Sequence, residues 1–216
     1  MDRLQQLQAW AGARLGTDAP PLVPASADAS FRRYFRIALA GRTVIAMDAP
    51  PPQEDCRPFV KVAQLFRDAG VNVPEVLAAD LEHGFLLLTD LGSTTFLAAL
   101  PDAAADPLYM GAFAALVRIQ AASRPGVLPE YDEALLLREM RLFPEWYVAR
   151  HLGASLSAAQ AADLESVFQA VLRVNLAEPR VFVHRDFHSR NLMVGHPDPG
   201  ILDFQDAVYG PITYDA

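Results

Sequence analysis

Cysteine and lysine each occur once in this sequence, as Cys56 and Lys61. A single cysteine excludes an intrachain disulfide and any zinc site built on several thiolates, and fits a reducing cytoplasm. All but one of the 18 basic residues are therefore arginine, and chemistry that needs a lysine must use Lys61 or do without. Positive charge is also in deficit overall, with a formal net charge of -8. Nucleic-acid backbones are held by clustered Lys and Arg, so no nucleic-acid partner is expected. Only Arg32, Arg33 and Arg36 form a local basic cluster.

Long apolar runs are missing too. "GFLLLTDLG" is too short to cross a bilayer, and "PDAAADPLYMGAFAALV" is interrupted by Asp106 and Pro107, so no membrane partner is expected. The N-terminal "MDRLQQLQAWAGARLG" sets Leu4, Leu7, Trp10, Ala11 and Leu15 on one helical face without the continuous apolar core of a signal peptide. It reads as a packed or surface helix. Repeats and low-complexity runs are absent, and nothing marks an obligate protein partner.

What is present is ample core material: 216 residues at 52% hydrophobic content allow one large domain or two small lobes. "SFRRYFRIALAGRTVIAMDA" reads as a β-hairpin turning at Ala40-Gly41. Phe59, Val60, Ala63, Leu65 and Phe66 then recur at helical spacing from about residue 54 to 69, with Gly70 as a stop. Two more short strands follow in "VPEVLAADLEHGFLLLTDLG", turning at His83-Gly84. Beyond Leu91 the pattern is helical over about 107–123, 131–152 with a kink at Pro144, and 157–174. Strands return in "RVFVH", "NLMVG" and "GILDF". The expected class is α+β, a β-rich lobe at 1–91 followed by a helical lobe at 92–216, with the site between them.

The chemistry concentrates in "FVHRDFHSRNLMVGHPDPGILDFQDA". Asp186 follows a short strand and Asn191 comes after a loop of four residues, so both can turn toward one point. Asp203 returns on a neighbouring strand after a Gly/Pro-rich hairpin tip. A carboxylate and a carboxamide oxygen are hard ligands suited to Mg²⁺ on nucleotide phosphates. A further carboxylate beside them can orient or deprotonate an attacking hydroxyl.

"HRDFHSRN" and "LDFQ" together resemble the catalytic set of protein kinases. His188 makes the loop more similar to the "HGDLHPGN" pattern of aminoglycoside phosphotransferases, kinase-like enzymes acting on small molecules, as do Asp206 and the closing "YGPITYDA" with Asp215. The resemblance implies a two-lobed protein-kinase-like fold that continues into further C-terminal helices after "TYDA". It assigns Asp186 as the base, Asn191 and Asp203 to Mg²⁺, and His184 and His188 to supporting the loop. ATP and Mg²⁺ are the implied cofactors.

On the nucleotide side the resemblance puts "ASADASFRRYF" in place of the phosphate-covering loop. It contains no glycine, and the Ser30 hydroxyl is a candidate phosphate contact. Where kinases carry a strand lysine, Met47 or Asp48 stands in "TVIAMDAPP". Either Lys61 reaches in from the inserted helix, or an arginine such as Arg32 or Arg33 neutralises phosphate, although one of those two adjacent strand residues must point away. The backbone of Asp90 and Leu91 would meet the adenine edge as the hinge.

Several pieces, "MDAPP" and "EDCRPF" foremost, together with "DASFRRYFRI", "VPEVLAAD" and "EMRLFPEWYV", look like the bacterial anomeric sugar kinases of peptidoglycan recycling. That resemblance implies ATP-dependent phosphorylation of the anomeric hydroxyl of N-acetylmuramate and N-acetylglucosamine in the cytoplasm. Glu139, Trp146 and Asp206 are then the candidate sugar contacts. The alternatives are a kinase for an aminoglycoside or amino alcohol and a nucleotide-binding pseudokinase. The second is motivated by the absent strand lysine and the glycine-free loop.

Overall fold

The computed structural model describes residues 2–18, 20–26, 31–101, 105–195 and 199–216. Contacts divide it into two compact units, Met1–Ile119 with Asp186–Asp206, and Gln120–Arg185 with Ala207–Ala216. The expected boundary at residue 91 falls inside the first of these.

In the first unit, helix α1 (Arg3–Leu15) opens with a capping box between Asp2 and Gln5 and closes at Gly16, whose φ of 67° suits a glycine. Five antiparallel strands follow, β1 (Val23–Ser26), β2 (Arg33–Leu39), β3 (Arg42–Asp48), β4 (Val76–Asp80) and β5 (Phe85–Thr89), in the order β1-β2-β3-β5-β4. Helix α2 (Cys56–Asp68) is inserted between β3 and β4 and capped by the Asp55 side chain. The hairpin, the inserted helix and the second strand pair lie where the periodicity puts them. β1 falls in the proline-bearing joint "APPLVPAS", where the prolines mask a strand signal; it is an edge strand, the place where a sheet tolerates proline.

Strand alternation gives the sheet two different faces. Phe35, Ile37, Val44, Ala46, Phe85 and Leu87 form a core with Leu7 and Ala11 of α1. The other face carries Tyr34, Arg36, Ile45 and Leu88, which line a cavity with Phe59 of α2. Register fixes this arrangement, since Tyr34 pairs with Met47, Arg36 with Ile45, and Ile45 with Leu88. The short helix α3 (Phe96–Ala99), helix α4 (Ala105–Ala121, which runs on past the unit boundary) and the two-residue strands β7 (Leu192–Met193) and β8 (Gly200–Ile201) follow. Phe204 is fully buried, its ring 4.8 Å from that of Phe59 and 6.0 Å from that of Phe66.

The second unit holds α5 (Glu133–Leu142), α6 (Ala158–Ala177), β6 (Arg180–Val183) and β9 (Val208–Pro211), the two strands pairing antiparallel. Tyr131, Leu136, Leu172, Val181, Val183 and Val208 form its core. In place of a kinked helix through Pro144, α5 gives way to a π-helical segment, Phe143–His151. Proline offers no N–H to an α-helical ladder, and widening the turn accommodates that loss. Strand β9 went unread because its residues belong to the closing motif.

Candidate active site

The catalytic-loop segment, Asp186 to Asn191, is a run of turns tied to itself. The Asp186 carbonyl accepts from the His188 N–H and the Asn191 side-chain amide, both at 3.0 Å. The Asn191 N–H in turn donates to the His188 carbonyl at 2.9 Å. Leu202 donates its N–H to the Asn191 carbonyl at 2.9 Å, which brings the strand end carrying Asp203 alongside. Asn191 Nδ2 and Asp203 Oδ2 are 3.4 Å apart. Two residues twelve positions apart in the chain therefore meet, as the spacing predicts.

Asp203 sits at φ 62°, the left-handed region that aspartate tolerates better than most residues and that recurs where function fixes the backbone. Gln205 holds its carboxylate. The Gln205 amide donates to Asp203 Oδ1 at 2.7 Å and to Asp206 Oδ2 at 3.2 Å, and its own oxygen is buried without a partner among the described residues. Nothing in the sequence singled out Gln205; its role follows from standing between two carboxylates.

A cavity of about 330 Å³ runs from this cluster to the strand exit after β5, with Thr89, Asp90, Leu91, Gly92, Asn191 and Asp203 along its wall. The β3–β5 ladder stops at Thr89, so the Asp90–Leu91 backbone lies beyond the sheet's own pairing. Arg36 braces that segment. Its Nε is 2.5 Å from Asp90 Oδ2, and its terminal nitrogen donates to Asp90 Oδ1 at 3.0 Å and the Gly92 carbonyl at 2.8 Å. Burial alone would push the Asp90 carboxyl up, but hydrogen bonds from Arg36, Thr43 and the Gly92 N–H outweigh it and hold the pKa below the usual range. The hydrogen bond to Asp90 raises Arg36 in turn.

The two arginines expected at phosphate are placed elsewhere. Arg33 donates to Asp48, which is fully buried and also pairs with Arg3 of α1 at 2.7 Å. Arg32 pairs with Glu54 at 2.9 Å. Neither lines the cavity; Asp48, a buried carboxylate that needs its counter-charge, holds Arg33, and the partly buried Glu54 holds Arg32. Met47, opposite Tyr34, is buried, and Lys61 is exposed on α2 away from the cavity wall. Ser30 lies outside the described residues.

The remaining candidates divide between the units. Asp186 and His188 are exposed on the first. On the second, His184 is fully buried and its N–H donates to Asp215 at 2.6 Å, with the Arg185 N–H at 2.9 Å from the other carboxylate oxygen. Glu139, expected on the sugar, instead accepts from Arg185, Tyr131 and Tyr214. Burial, first, and the bond to Glu139 push the Tyr131 hydroxyl's pKa up. Trp146 is exposed, with the Arg150 guanidinium 4.3 Å over its ring.

Asn191 and Asp203 suit a hard cation. The amide nitrogen of Asn191 is used on the Asp186 carbonyl, which leaves its oxygen to act as a ligand beside a carboxylate. Among the described residues no group of three or more His, Cys, Asp or Glu side chains gathers at one point. A carboxylate and a carboxamide oxygen are ligands that Mg²⁺ accepts, waters and phosphate oxygens completing its shell.

A sheet with an inserted helix, a strand exit at a cavity and an Asp/Asn/Asp loop pair define the kinase-like phosphotransferase class. The family model of phosphotransferase enzymes, APH, matches residues 21–216, and the chain belongs to that family. The N-acetylmuramate/N-acetylglucosamine kinase of Pseudomonas aeruginosa is 53% identical over 99% of this chain and 66% of its own length. That of Neisseria meningitidis serogroup B is 50% identical over 88% of this chain and 58% of its own length. The chain thus spans somewhat less than two thirds of these relatives. Among solved structures, the choline kinase LicA from Streptococcus pneumoniae shares the fold at TM-score 0.70 and 12% identity, covering 99% of this chain and 73% of that one. A thermostable mutant of aminoglycoside phosphotransferase APH(4)-Ia does so at TM-score 0.67 and 17% identity, over 96% and 74%.

Proposed function

We propose that this chain carries the phosphoryl-transfer site of an ATP-dependent kinase that phosphorylates the anomeric hydroxyl of N-acetylmuramate and N-acetylglucosamine. The observation that carries this reading is the meeting of Asn191 with Asp203 on the wall of a cavity that ends at the Asp90–Leu91 segment. The 53% identity to a kinase named for these two sugars supplies the acceptor.

In this reading the Asp90–Leu91 backbone meets the adenine edge, and Asp203 and Asn191 hold Mg²⁺. The ion, when bound, neutralises charge on the nucleotide's phosphates. Asp186 aligns the sugar hydroxyl and accepts its proton as the new O–P bond forms and the bond to the leaving ADP breaks. His188 supports the loop through its backbone. No phosphoenzyme is required, since positioning and charge neutralisation supply most of the catalysis. Glu139 is occupied within its own unit, so it contributes to Arg185 rather than to the sugar. Asp206 stays with the metal-side carboxylate through Gln205.

Incubation with ATP, Mg²⁺ and each sugar should yield an alkali-stable, acid-labile sugar 1-phosphate. Asp186→Asn should lower kcat by about 10²- to 10⁴-fold while ATP binding persists. Turnover of aminoglycosides or amino alcohols with none of the N-acetylated sugars would refute the acceptor. ATP binding with no acceptor phosphorylated would leave a nucleotide-binding protein instead.

A further inference from the structure

A nucleoside triphosphate needs positive charge, and the three arginines of the local basic cluster are all engaged. Arg32 is paired with Glu54, Arg33 with Asp48 and Arg36 with Asp90. Among the described residues, the charged ones lining the cavity are Arg36, Asp90, Arg190 and Asp203. Arg36 and Asp90 neutralise each other, while Arg190 has no ion-pair partner among the described residues.

Arg190 immediately precedes Asn191, and both residues line the cavity. In an extended strand neighbouring side chains would diverge to opposite faces. Residues 189–191 form a turn, which lets both face one space. We infer that Arg190 supplies the phosphate-binding positive charge of this site from the catalytic loop, in place of a cation on the sheet. The inference rests on the kinase reading and adds to it a residue that touches the nucleotide's polyphosphate. A guanidinium there forms paired hydrogen bonds to phosphate oxygens, and its planar fork suits them better than an ammonium does.

The test is binding without turnover, by calorimetry of ATP, ADP and adenosine with Mg²⁺ on wild type, Arg190→Ala and Arg190→Lys. Charge-assisted contacts of this kind correspond to about 10- to 100-fold in affinity. Arg190→Ala should lose that much for ATP, less for ADP and nothing for adenosine, and Arg190→Lys should recover part of it. Because Arg190 is exposed, the alanine variant is expected to fold, with an unchanged circular dichroism melt as the control.

Wild-type affinity for ATP in Arg190→Ala would overturn the inference. An equal loss for adenosine would also overturn it, by placing the contact off the phosphates. Intact ATP binding with a raised KM for N-acetylmuramate alone would assign the guanidinium to that sugar's carboxylate and overturn it likewise. If the wild type binds neither ATP nor adenosine, the kinase reading itself fails, which the wild-type arm reports separately.

Discussion

Arg36 shows how much one strand position decides. It shares a face with Tyr34, two residues away, and so reaches the cavity, whereas Arg33 shares the opposite face with Phe35 and goes to Asp48. The alternation was legible in "FRRYFRI"; which face would be covered by α1 was not, because both faces carry a mixture of aromatic and charged residues. The Asp90 side chain is only 4% exposed and its pKa is held low by Arg36, Thr43 and Gly92 against the burial that raises it. A carboxyl depressed in the folded state stabilises the protein fully above its ordinary value of about 3.9 and loses that contribution as pH falls through the folded value. Asp90→Asn should therefore be less stable than wild type at neutral pH, and the gap should narrow in acid below about pH 3.9. Thermal melts of both proteins from neutral pH into acid check this, and a gap that widened on acidification would contradict it.

At the scale of elements, the contact that seats α1 on the sheet is electrostatic at one end and apolar along its length. Asp48 is fully buried between Arg3 of α1 and Arg33 of β2, while Leu7 and Ala11 pack on Phe35, Ile37, Val44 and Ala46. Removing the carboxylate leaves two guanidinium groups facing each other. Asp48→Ala is expected to cost about 3 kcal/mol, solvent access to Arg33 keeping it at the low end of the range for broken buried pairs. Urea unfolding measures it, and Arg33→Ala should cost clearly less because Arg3 remains to pair the carboxylate. The sequence showed α1 as an amphipathic helix and β3 as a strand, but not that they were tied. An ion pair 45 residues apart leaves no local pattern. The meeting of Asn191 with Asp203 was legible because the motif's order and spacing bring the two loops together. The placement of the arginines was not, because Arg32, Arg33 and Arg36 are equivalent as letters and are separated only by which carboxylate lies within reach.

On the scale of the whole molecule, the first unit is discontinuous. Its sheet is made by residues up to Thr89, yet the segment that completes it, Asp186–Asp206, arrives only after the second unit's helices and β6. Phe204 closes that gap by packing on Phe59 and Phe66 of α2. Deleting a fully buried phenylalanine costs about 3–5 kcal/mol through lost burial and the cavity left behind. The two tryptophans report the units separately, Trp10 lying in the first and Trp146 in the second. In a Trp146→Phe background, Phe204→Ala should move the Trp10 fluorescence midpoint in urea to markedly lower concentration. In a Trp10→Phe background, the same substitution should leave the Trp146 midpoint nearly in place. Equal shifts in both would mean that the chain unfolds as one cooperative body, and that the late-arriving segment stabilises more than the unit it completes.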